Sequence, residues 1–152
     1  MDNLRITAIH EAGHAVAAIR AGLVFDNVSA VPDDIRELDG ALNWHELNSH
    51  VEIALPPELL AVVLLAGPCA EAKLRKLRFD RVFAGEAALD DRMSIASMGL
   101  TNEQFVAASR DAIALVDQDW PIIEAVAGEL EACDTLSYDE VEDIVTELDS
   151  RS

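Results

Sequence analysis

Apolar side chains in residues 4–21, "LRITAIHEAGHAVAAIRA", show neither a two-residue alternation nor a clean polar stripe, and they occupy nearly every angular position of a helix. Good helix formers, the absence of proline and a closing Gly22 predict a helix over 3–21 that is apolar almost all round and hence central. The β-branched "NVSAVP" (27–32), closed by Pro32, predicts a strand. After an acidic turn, "DDIRELDG", the segment "ALNWHEL" (41–47) predicts a second strand pairing back onto the first. Pro56-Pro57-Glu58 opens a helix, because proline is tolerated in the first turn, and "LLAVVLLAGPCA" (59–70) carries it on to about Leu77. No period is visible over 79–89, which reads as a loop, and a helix restarts near Asp90, whose carboxylate suits the positive end of the helix dipole. Thr101 with Gln104, and Ser137 with Glu140, have capping-box spacing and open helices over 102–118 and along "YDEVEDIVTEL". Between them Asp119-Trp120-Pro121 resets the chain for a helix over 121–132. The expected fold class is mainly α (α+β), a helical domain with a small β-sheet or hairpin.

Composition narrows this picture. With 152 residues, 51% of them hydrophobic, one domain spanning 1–152 is expected to bury its own core. The apolar run at 59–70 is short of the ~18 residues that a membrane span requires, so no transmembrane segment is expected. A secretory signal pattern is absent, and Cys69 and Cys133 lack CxxC spacing, which points to a reducing, cytoplasmic setting. A formal charge of −18 argues against nucleic acid and anionic membrane surfaces as partners. That charge is unevenly spread. Lys73, Arg75, Lys76, Arg78 and Arg81 are five of the eleven basic residues, whereas 111–149 holds thirteen acidic residues and no basic one. A solvated acidic face is the expectation, and a docking surface for a basic partner is the alternative.

The chemistry concentrates in His10-Glu11-Ala12-Gly13-His14. Residues four apart share a helix face, so His10 and His14 can aim an imidazole nitrogen each at one point, the geometry of a zinc site. Glu11 then stands beside the ion, where it can accept a proton. Ala12 and Gly13 allow close approach by another element or a substrate. An HExxH arrangement arises by chance in roughly one in a hundred sequences of this composition, so coincidence is a weak rival. Burying imidazoles and a carboxylate on an apolar helix is also costly unless something satisfies them. His45 and His50 are five apart and do not share a helix face, and Trp44 and Trp120 are expected in core packing.

These pieces resemble the peptidase domain of FtsH-like ATP-dependent zinc metalloproteases, and more closely its small stand-alone relatives. "HEAGHAV" resembles the zinc signature, "NVSAVP" the strand after it, and "GALNWH" the substrate-side strand. "LLAGPCAE" is similar to the family's Gly-rich helix ending in Ala-Glu, and "WPIIEAVAGEL" with "LSYDEV" to its closing helices. The resemblance implies a helical zincin-type fold and a zinc metalloendopeptidase with a His, His, Asp site. His10 and His14 would be ligands and Glu11 the general base on a zinc-bound water. The third ligand is Asp90, counting from Gly85, or Asp91, by the apolar phase of Ile95 and Met98. Glu71 would hold a ligand histidine through its ring. The strand at 41–44 would present an extended peptide by edge pairing. No Walker A pattern occurs, so an ATPase domain is not expected, and the usual reason for a hexameric ring is missing. Substrates would be peptides, flexible or unfolded polypeptides, or chains handed over by a separate ATP-dependent unfoldase. The rival expectation is a non-catalytic zinc-containing interaction module, which would have no use for Glu11.

Overall fold

The computed structural model describes residues 3–30, 41–44 and 56–151, with Ala41–Trp44 described by their backbone. The acidic turn, His45, His50 and the end of the expected second strand lie outside the described residues. Helix α1 spans Asn3–Ala21, and every residue from Ala8 to Ala18 is buried, as an all-round apolar pattern requires. Gly22, at φ +78°, lets the chain leave the helix in a left-handed conformation. Helix α2, Pro57–Arg75, starts on its proline pair and stops where Lys76 turns left-handed at φ 57°. The segment expected as a loop is instead largely helical. A short α3, Phe79–Phe83, is joined by a 3-10 turn at Glu86–Ala88 to α4, Leu89–Ser97. Phe83 stacks on Phe79 with ring centroids 5.3 Å apart and also meets Phe105 at 5.8 Å, a tertiary contact that sequence periodicity over five residues cannot display. Helices α5 (Asn102–Gln118), α6 (Trp120–Cys133) and α7 (Tyr138–Ser150) follow, and both capping boxes are formed at Thr101 and Ser137.

Among the described residues, three short strands, β1 (Phe25–Ser29), β2 (Ala41–Trp44) and β3 (Thr135–Ser137), make an antiparallel sheet in the order β2-β1-β3. The first strand begins two residues before the expected Asn27, with a register irregularity between Phe25 and Asn27. The third was not expected at all: it is three residues long and exists because Val28 faces Leu136 across the ladder. The molecule is thus mainly helical with a small antiparallel sheet.

Helix α1 is the axis of the core, packed against α2 on one side and α6 on another, and α2 packs in turn on α5. Close approach of α1 and α2 depends on Gly13, where an added Cβ would lie 2.7 Å from the Ala66 carbonyl oxygen and 2.9 Å from the Ala70 Cβ. At the far end of α1, Arg20 donates to buried Asp119 at 2.9 Å and to Asp149 at 2.8 Å, tying α1 to the start of α6 and the end of α7. Trp120 packs partly buried against the core, with the Lys73 ammonium 5.3 Å from its ring centroid. Cys69 is buried and Cys133 exposed, both as free thiols, and burial pushes the Cys69 thiol up to about 12. No helix among the described residues is long and apolar enough to cross a membrane.

Candidate metal centre

The centre forms where α1, α2 and α4 meet. Spacing i, i+4 puts His10 and His14 on one face of α1, with ring centroids 5.0 Å apart, and both side chains are buried. The first turn of α4 brings Asp91 to them: its Oδ2 lies 3.1 Å from His10 Nε2 and 3.3 Å from His14 Nε2. Asp90, one residue earlier, is exposed and outside the group. The two candidates for third ligand therefore separate by helix phase, and Asp91 is the one that turns inward. Helix α4 is held in that phase by Arg92, whose guanidinium donates to the backbone carbonyls of Phe83 and Gly85.

The donor set fits a divalent metal ion. Two ligands bonded at 2.0–2.1 Å and separated by the tetrahedral angle lie about 3.4 Å apart, close to the 3.1 and 3.3 Å between Asp91 and the two histidines. All three candidate ligand atoms fall within 4.8 Å of one another. Two imidazoles and a carboxylate suit zinc, and they accommodate other first-row divalent ions as well. The far side of each ring fixes which nitrogen faces the group. His14 Nδ1–H donates to the Val63 carbonyl at 2.9 Å, and His10 Nδ1–H donates to Glu71 Oε1 at 3.0 Å, so each Nε2 is turned inward, toward Asp91.

In this cluster the titration behaviour follows from mutual attraction in a buried setting. Burial alone lowers the His10 pKa, but hydrogen bonds to Asp91 and Glu71 outweigh it and push His10 up to about 10. The same contest, won by the charge of Asp91, raises His14. Burial would raise the Asp91 carboxyl, but His14 and His10 hold it well below the usual carboxylate range. Glu71 is likewise lowered, because hydrogen bonds from His10 and Arg75 overcome its burial. Glu11 goes the other way: desolvation raises its pKa against the pull of both histidines. Its Oε2 is buried and has no hydrogen-bond partner among the described residues.

Sequence reasoning missed three contributors to this centre. Val63 acts through a backbone carbonyl, which no residue type advertises. Gly67 leaves space for the His14 ring: a Cβ there would sit 2.3 Å from His14 Nε2. Its place in "AGPC", inside a run of helix formers, was the available signal. Arg75 bonds the second oxygen of Glu71 at 2.7 Å, and its i, i+4 spacing from Glu71 was legible. Neither a scan against protein-family profiles nor a search of curated proteins finds a match to this chain.

Proposed function

We propose that the chain is a zinc-dependent metallopeptidase of the FtsH-like, zincin type, hydrolysing peptide bonds in flexible or unfolded polypeptides. One observation carries this reading. A buried carboxylate, Glu11, keeps an oxygen without a partner beside a group of three convergent ligand atoms from His10, His14 and Asp91. A metal held only for structure needs no such carboxylate, and structural zinc is more often closed by a fourth protein ligand. His10, His14 and Asp91 would hold the ion. Bound there, zinc supplies Lewis acidity, polarising the scissile carbonyl and acidifying water toward a pKa of ~7.

Glu11 does the proton work. Its unpartnered Oε2 accepts a proton from the attacking water and later delivers it to the leaving amine nitrogen. Val63 and Glu71 keep the histidine rings from turning while this happens. Substrate backbone would pair along the side of β2 that no other described strand covers, an arrangement that requires an extended, unfolded segment.

The test is the Glu11→Gln variant, compared with the parent chain for zinc content and for digestion of a broad peptide library, with a chelator control. Cleavage by the parent, abolished by the chelator and reduced at least a thousandfold in the variant while zinc stays bound, is the expected result. Zinc bound by the parent with no peptide cleaved would replace the peptidase reading with that of a zinc-containing interaction module. A fully active Glu11→Gln chain would remove Glu11 from the mechanism.

A further inference from the structure

The two histidines are braced from behind in unlike ways. His14 leans on a neutral carbonyl whose position is fixed by the α2 backbone. His10 leans on a side chain, Glu71, and a side chain stays in place only if something holds it. Glu71 is 3% exposed, its Oε1 accepts from His10, and its Oε2 accepts from Arg75 Nη1 at 2.7 Å. Arg75 stands one turn further along α2, in its last turn, with its side chain 41% exposed. The two oxygens of one buried carboxylate are thus taken by two donors, one from the centre and one from the solvent side.

We propose that Arg75 is a positioning residue of the metal centre, acting through Glu71 to hold the His10 ring and to balance the charge around the ion. The proposal rests on His10 being a metal ligand and not on peptide hydrolysis. Without the guanidinium, Glu71 keeps one donor and can rotate away from His10 about its own side-chain bonds. Charge points the same way. Glu11, Glu71 and Asp91 bring three carboxylates around a divalent ion, which leaves one negative charge over, and Arg75 neutralises it. An arginine in the last turn of a helix also interacts favourably with the helix dipole. That role is indifferent to what Glu71 touches, and the two roles separate in a double-mutant cycle.

The experiment uses the full chain stripped of metal, with zinc affinity read by competition against a chromophoric chelator and the centre read by the visible spectrum of added Co²⁺. Arg75→Met keeps most of the aliphatic stem and removes the charge and the donors. It is expected to weaken zinc binding about tenfold, the lower end of what losing an outer-shell partner costs, and to shift the Co²⁺ bands. Arg75→Lys restores a cation and a donor, and should recover most of the affinity. In a Glu71→Gln background, Arg75→Met should change zinc affinity less than twofold. An Arg75→Met chain with parental zinc affinity and an unchanged Co²⁺ spectrum would overturn the proposal and leave the peptidase reading standing. An equal loss in the Glu71→Gln background would overturn it too, assigning Arg75 to helix stability alone. If Arg75→Met fails to give a parental circular-dichroism spectrum, Arg75→Gln and Arg75→Lys in the two backgrounds decide by the same criterion. A parent chain that binds neither Zn²⁺ nor Co²⁺ overturns both readings, whereas one that binds zinc and cleaves nothing defeats only the peptidase reading.

Discussion

Two glycines face the same helix pair, and a methyl group added to each meets a different kind of obstacle. At Gly67 the added Cβ would be 2.3, 2.6 and 2.7 Å from three atoms of the His14 ring, so the ring itself must tilt. Since the ring is tied at Nδ1 to the Val63 carbonyl one turn earlier on the same helix, a tilt breaks that bond or swings Nε2 away from Asp91. At Gly13 the obstacle is backbone, the Ala66 carbonyl oxygen at 2.7 Å, and relief requires α1 and α2 to move apart. Gly67→Ala is therefore expected to lose at least tenfold in zinc affinity. Gly13→Ala should show its effect first as lost stability, about 1–3 kcal/mol for an overpacked core. Zinc competition and urea unfolding on both variants check this. Parental zinc affinity in Gly67→Ala would show that the glycine serves helix packing and not the ring.

At the scale of elements, the site is a helix-phase problem. Asp91 turns inward and Asp90 outward because α4 begins at Leu89, and that start is set by the turn before it, which Arg92 holds through the Phe83 and Gly85 carbonyls. Replacing Arg92 with Met leaves two part-buried carbonyls without this donor, at a cost of about 1–3 kcal/mol. Hydrogen–deuterium exchange should then quicken over 85–95 while the amides of α1 stay protected, and zinc affinity should fall. Unchanged exchange over 85–95 would show that the turn is held by packing. The same reasoning separates what the sequence made legible from what it hid. Helix α1, both capping boxes and the His10/Glu11/His14 triplet depend on spacings of three or four residues and were readable directly. The inward phase of Asp91, the Phe83–Phe105 contact and the three residues of β3 depend on partners far away in sequence. No local pattern records those partners, which is why 79–89 read as a loop and β3 went unseen.

For the molecule as a whole, the dominant number is the charge of −18 at neutral pH, with 111–149 carrying thirteen acidic residues and no basic one. The second half of α5, all of α6 and nearly all of α7 lie in that stretch, so folding gathers like charges that the unfolded chain keeps further apart. Against this stand ion pairs that bind acidic helices to the rest: Arg20 with Asp119 and Asp149, Lys73 with Asp117, and Arg5 with Glu131. Salt weakens both effects, and magnitudes decide the sign. Most of these pairs are part-exposed and worth about 0–1 kcal/mol each, whereas repulsion among many carboxylates acts over the whole surface until the Debye length falls to about 10 Å near 0.1 M salt. Repulsion should win, and the midpoint of thermal unfolding, measured at pH 7.5 on the metal-stripped chain, should rise by several degrees between 10 and 300 mM KCl. An Arg20→Gln variant removes a cation shared by Asp119 and Asp149 and should be less stable at every salt concentration, with a steeper rise. A midpoint that instead falls with salt in the parent chain would mean that these few bridges, chiefly the buried Asp119 with Arg20, outweigh the repulsion of the acidic face.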